Sequence, residues 1–140
     1  MYFNVLIDSN DTLTSLSGLS SLATVWYSIN VTGNSILQDV DCFGILTETV
    51  AILISNNTAL KGLHGLAFNP ELATSLITYV YNNDSLATLG MNALKNIYEM
   101  FTFMDNPELC ASLIEDLEKQ LSYTSRLLSV STILDNKECG

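Results

Sequence analysis

The chain is poor in charge, and poorest in positive charge. Five lysines and arginines stand against fifteen acidic residues, a formal net charge of −10. Lys61, Lys95, Lys119, Arg126 and Lys137 are scattered, so no basic patch can neutralise a row of phosphates. That speaks against nucleic acid and against anionic membrane surfaces. One histidine, His64, and three cysteines without a CxxC pair cannot complete a common zinc site. Asp39, Asp41 and Glu48 form a mild acidic group, but no DxDxDG-like spacing marks a calcium loop. A P-loop and a GxGxxG turn are both missing, and neither a cofactor nor a metal is expected. The hydrophobic share is 48% and the mean hydropathy +0.29, yet no apolar run approaches the roughly 20 residues of a membrane span. The opening MYFNVLID lacks the charged start and long apolar stretch of a signal peptide.

What the sequence does have is repetition. Five segments carry a short β-rich run, then Asn, then Leu three residues on. They read NVLIDSNDTLTSLSGL, SINVTGNSILQDVDCF, AILISNNTALKGLHGL, TYVYNNDSLATLGMNAL and MFTFMDNPELCASLI. Anchored on Asn10, Asn34, Asn57, Asn83 and Asn106, the steps are 24, 23, 26 and 23 residues. A period in the twenties with strand-then-turn chemistry predicts a solenoid in which each coil supplies one parallel strand. One continuous core fed by every strand and every return explains the high apolar share.

Within SINVTGNSILQDVDCF, alternation sends Ile29 and Val31 inward and Ser28, Asn30 and Thr32 outward. The matching inward pairs are Val5/Ile7, Ile52/Ile54, Thr78/Val80 and Phe101/Phe103. Leu37, Val40 and Phe43 then recur every three residues, which suits a tight 3₁₀-like return. Further return-side core positions are Leu13/Leu16/Leu19, Leu60/Leu63/Leu66, Leu86/Leu89 and Leu109/Leu113. The repeated Asn offers two donors and an acceptor, so stacked copies would form a ladder satisfying backbone left unpaired at the turn. Outward residues align in rows: Leu6, Asn30, Leu53, Tyr79, Thr102; Asp8, Thr32, Ser55, Tyr81, Met104; and Asn4, Ser28, Ala51, Ile77, Met100. The candidate binding residues are Leu53, Ile77, Tyr79, Tyr81, Thr102 and Met104, a mixed aromatic and aliphatic patch of the kind that marks contact surfaces.

Towards the C-terminus the coils lengthen. Ser112 to Leu128 has amphipathic spacing through Leu113, Leu117 and Leu121, a helix leading to a last strand near Leu127–Ser131. A shorter helix is expected over Asn92 to Glu99. The whole of 1–140 reads as a single solenoid, with 112–140 an irregular C-terminal coil or cap. It starts almost directly in a strand, which suggests an excerpt of a longer array. LDNKECG resembles MDNPELC as a degenerate sixth repeat, so neighbouring coils would bring Cys110 and Cys139 together. A bridge between them and a pair of small buried side chains are both open readings; Cys42 reads as core. Sequons stand at Asn10, Asn30, Asn56 and Asn83. Asn10 and Asn83, as ladder residues, are expected to be too buried to modify, which leaves Asn30 and Asn56. Sequons also arise by chance in so Asn-, Ser- and Thr-rich a chain. His64 falls where sister coils have Ser17 and Asp41, and reads as a surface residue with no Ser–His–Asp partners.

The phrases LTSLSGLSSLATV, ISNNTALKGLHGL and YNNDSLATL resemble leucine-rich-repeat solenoids of the receptor L-domain type, over residues 3 to about 110. The flanking cysteine modules of receptor ectodomains are absent. The resemblance implies a non-enzymatic recognition or surface scaffold, outside the cell or on its surface, binding a protein or glycan partner. A carbohydrate-active parallel β-helix enzyme is the alternative, but it would need clustered acids with Arg or Lys on one face, and the outward rows hold only Asp8. An α-solenoid would repeat at about 40 residues, and the TYVYNN and AILISNN runs favour strands instead.

Overall fold

The computed structural model describes residues 3–66, 77–90, 100–120 and 132–139. Six strands, β1 (Val5–Asp8), β2 (Ser28–Thr32), β3 (Ala51–Ser55), β4 (Ile77–Tyr81), β5 (Met100–Met104) and β6 (Thr132–Leu134), form one parallel sheet in sequence order. The solenoid expected from the period is therefore the fold. Register follows the repeat: Leu6 faces Asn30, Asn30 faces Leu53, Leu53 faces Tyr79 and Tyr79 faces Thr102. Because a slip of one residue would turn every inward side chain to solvent, the buried set pins this register. Ile29, Val31, Ile52, Ile54, Val80 and Phe103 are buried as the alternation requires.

Each coil returns through tight turns. Ser17–Leu19, Asp41–Phe43 and His64–Leu66 are single 3₁₀ turns, and Leu37, Val40, Phe43, Leu60, Leu63 and Leu66 fill the interior behind the sheet. Hydrogen bonds link coils along the return path too, as Lys61 N–H to Gln38 O (3.1 Å) and Ala87 N–H to Lys61 O (3.1 Å) show. Coils approach closely at Gly65, where a Cβ would lie 2.1 Å from Val40 O. No side chain fits there.

The asparagines form a continuous ladder. The backbone N–H of Asn10, Asn34, Asn57, Asn83 and Asn106 donates to the Oδ1 of the next coil's Asn at 3.1–3.2 Å, ending on Asn136. From Asn34 onward each Nδ2 also reaches back: Asn57 donates to Val31 O (2.9 Å) in the preceding coil and to Ser55 O (3.0 Å) in its own. Asn34, Asn57, Asn83 and Asn106 are wholly buried. Just before each ladder residue stands one in the left-handed region: Ser9, Gly33, Asn56, Asn82, Asp105 and Asp135, with φ between 53° and 66°. Gly, Asn and Asp tolerate that region best. The phrase is thus a left-handed residue followed by Asn.

Two expectations are corrected. Asn10 is exposed, because no described coil stacks on its outer side. The helix α1 spans Ala111–Gln120, and its buried stripe is Ile114 and Leu117, with Leu113 39% exposed. Residues three apart face the core here, and Leu113 lies one step off that stripe. The described sheet closes with β6 at Thr132–Leu134, while the strand expected near Leu127–Ser131 and the short helix expected over Asn92 to Glu99 lie outside the described residues.

Among the described residues, Thr78 Oγ1 is the buried side-chain polar atom without a hydrogen-bond partner. It occupies an inward position filled by Val5, Ile29 and Ile52 in other coils. Thr78→Val is expected to raise stability by about 1 kcal/mol in denaturant titration, since it removes an unpaired buried hydroxyl at constant shape. Asn57→Ala should cost about 2–4 kcal/mol by orphaning Val31 O, Ser55 O and the Asn34 N–H, whereas Asn10→Ala should cost under about 1 kcal/mol.

Candidate functional site

A face built of side chains that the core does not use is the place for recognition. The outer face of the sheet has that property. Leu6 is 68% exposed and Tyr79 37% exposed, while Leu53, Ile77, Tyr81 and Met104 are half-buried. The strand spacing of about 4.8 Å sets these residues side by side on a rigid surface. Polar neighbours are tied down: Ser28 Oγ donates to Asn4 Oδ1 at 3.2 Å, and the Thr32 hydroxyl donates to the Asp8 carboxylate. Thr102 belongs to the same row but is only 5% exposed. Its short side chain stands one strand away from Tyr79 and offers little surface, so it forms part of the floor of the face.

The sheet face continues into an apolar border that the outward rows omit. Phe3, Trp26, Tyr27 and Val50 are exposed, Trp26 at 58%. Phe3, Tyr27 and Val50 occupy equivalent positions one residue before the first outward row, and Val50 N–H bonds to Tyr27 O at 3.0 Å. The signal was present in the sequence as a bulky apolar residue ahead of NVLID, SINVT and AILIS. Strand alternation hid it, because that rule assigns these residues inward where the strand has not yet begun.

A second surface runs along the turns. Asn56, Thr58, Asn82, Asp84, Asp105 and Asp135 line an open groove of about 520 Å3. Asn82 Nδ2 donates to Asn56 Oδ1 at 3.3 Å, so the left-handed column begins a partial ladder of its own outside the buried one. The groove is acidic. No group of three or more His, Cys, Asp or Glu among the described residues is arranged to hold a metal ion.

The sequons separate by burial. Asn83 is fully buried, Asn30 is half-buried on the open face, and Asn56 and Asn10 are exposed at turns. His64 is exposed, with Nε2 3.0 Å from Thr88 Oγ1. Cys110 and Cys139 form a disulfide across 29 residues, beside a backbone pair between Leu109 and Lys137 and an ion pair from Lys137 Nζ to Glu108 at 3.0 Å. Among the described residues no helix is long and apolar enough to cross a membrane.

No protein family, characterised protein or solved structure matches this chain.

Cys42 is the free thiol, and burial pushes it up to about 11, with Asp39 and Asp41 adding to the rise. The thiolate is the reactive form. Cys42 is therefore expected to resist a thiol-specific reagent at pH 8 in the folded protein and to react fully once denaturant is added. Mass spectrometry of the labelled chain reads the difference.

Proposed function

We propose that this chain is a non-enzymatic recognition scaffold that binds a protein partner on the open face of its parallel sheet. One observation carries the reading. Leu6, Leu53, Ile77, Tyr79 and Tyr81 present apolar and aromatic surface outward on a framework built around the buried inward residues and the asparagine ladder. Exposed aromatic and aliphatic anchors on a preformed surface lower the ordering cost of binding, and Tyr and Trp are enriched among residues that dominate interface energies. The border of Trp26, Tyr27 and Phe3 widens that surface. A glycan partner would use the same aromatic faces with Asn30 and Asn4 as hydrogen-bonding groups.

The repeat phrase supports the leucine-rich-repeat, receptor L-domain type of solenoid, and with it a place outside the cell or on its surface. The Cys110–Cys139 bridge favours the same compartment, since disulfides persist in oxidising surroundings. Asn30 and Asn56 are the glycosylation sites expected on this reading, and the exposure of Asn10 adds its sequon to them. The β-helix enzyme reading is less well supported: Asp8, the carboxylate of the outward rows, is held by Thr32 with no basic residue beside it in those rows.

A Tyr79→Ala/Tyr81→Ala variant should keep the parent's melting temperature within a few degrees. It should lose about tenfold or more in affinity for any extracellular protein captured by the immobilised parent from a display library. Unchanged affinity would place binding elsewhere.

A further inference from the structure

The open face of the sheet carries little charge, but it ends on a charged rim. Tyr81 and Met104, half-buried on that face, are each followed at once by a residue of the turn groove, Asn82 and Asp105. Consecutive Cα atoms lie about 3.8 Å apart, so the apolar patch and the groove are one continuous surface. A partner seated on Tyr79 and Tyr81 reaches the groove without leaving the protein.

The groove changes character along the stack. After β3 and β4 its wall is Asn56 and Asn82, and the Asn82 amide donates to Asn56 Oδ1 at 3.3 Å. After β5 and β6 the same left-handed position holds Asp105 and Asp135. Met104 pairs with Leu134 in register, which sets the backbones of the two aspartates about 4.8 Å apart. Like charges on adjacent strands repel, and a carboxylate has no donor with which to repeat the Asn–Asn bond. Asp84 lines the same groove, and all three carboxylates are exposed. Among the described residues no base answers them. Lys119 pairs with Asp116 and Lys137 with Glu108, while Lys61 and His64 sit on the return path. Lys95 and Arg126 lie outside the described residues.

We propose that the partner of the open face is a basic protein segment. Its apolar side chains cover Leu53, Tyr79, Tyr81 and Met104, and a flanking Lys or Arg enters the groove among Asp84, Asp105 and Asp135. The proposal rests on the recognition function proposed above and specifies the chemistry of its partner. A long cationic side chain lays its stem along the apolar patch and brings its charge to the carboxylates, relieving their repulsion. The net charge of −10 draws such a partner in and turns a second copy of this chain away.

The test selects a random-peptide display library on the full chain and measures dissociation constants for the enriched sequences as synthetic peptides. These should combine aromatic or aliphatic residues with Lys or Arg. Asp84→Asn/Asp105→Asn/Asp135→Asn should weaken them about fivefold or more at low ionic strength, and much less at about 0.5 M salt. Asn already fills the left-handed position at Asn56 and Asn82, so this variant should fold. Asp39→Asn/Asp41→Asn/Glu48→Gln makes the same change in net charge away from the groove, and should leave affinity within about twofold. Replacing the peptide's Lys or Arg by Gln should cost the parent the same factor as the groove variant, and cost that variant nothing further. No enrichment, enriched peptides without basic residues, or equal losses in the two charge variants would overturn the proposal. If Tyr79→Ala/Tyr81→Ala weakens binding while the groove variant does not, the open-face function stands and the basic partner falls. If the groove variant weakens binding and the tyrosine variant does not, both fall.

Discussion

Everything in this molecule hangs on the amide of one repeated asparagine. A strand that must leave a parallel sheet through a tight turn strands backbone groups in the interior, where water cannot reach them. The Asn34 amide satisfies three such groups at once, accepting from the Asn10 N–H and donating to Ile7 O and Thr32 O, and its Nδ2 also reaches Asn57 Oδ1 in the coil after. The left-handed residue ahead of it aims the chain so that the amide points inward. Leucines pack around this line, and the inward alternation forbids a slip of one residue, but a slip of two would bury the same face. The ladder forbids that as well, because its partners are matched at every step.

That division frees the opposite face. Once the asparagines and inward residues fix strand positions, the outward residues can vary without changing the coil. In this chain they differ freely, from Leu6 to Asn30 to Tyr79 in one row. Two further surfaces arise as by-products of the same geometry. One is the acidic groove along the left-handed turns, and the other is the apolar border where β1, β2 and β3 begin.

The architecture was legible because its signals are local and repeated. Period, strand alternation and the Asn position each appear five times, so register could be read to the residue, and the 3₁₀ returns followed from a spacing of three. What was not legible depended on relations outside the repeat. The burial of Asn10 was misjudged because ladder membership says nothing about whether a neighbour lies on each side. Leu113 was placed in the core by analogy with shorter coils, whereas α1 rotates Ile114 into that role. Thr102 fits an outward row, yet its short side chain beside Tyr79 is almost wholly covered. The candidate site was half visible: its rows followed from alternation, but Phe3, Trp26, Tyr27 and Val50 precede the strands and escape that rule. The left-handed column was written plainly as Ser-Asn, Gly-Asn, Asn-Asn and Asp-Asn pairs, and its meaning needed backbone angles.

The disulfide between Cys110 and Cys139 gives the solenoid a mechanical direction. In a one-dimensional stack each coil is held only by its neighbours, and loss of order spreads from whichever end is weaker. Here Cys110 and Cys139 stitch the turn after β5 covalently to the turn after β6, so these two coils must open together. The coils from β1 to β4 are joined by hydrogen bonds and packing without such a stitch. A pull between two of those coils would peel them apart like tape, and the same pull across the bridge would meet a rivet.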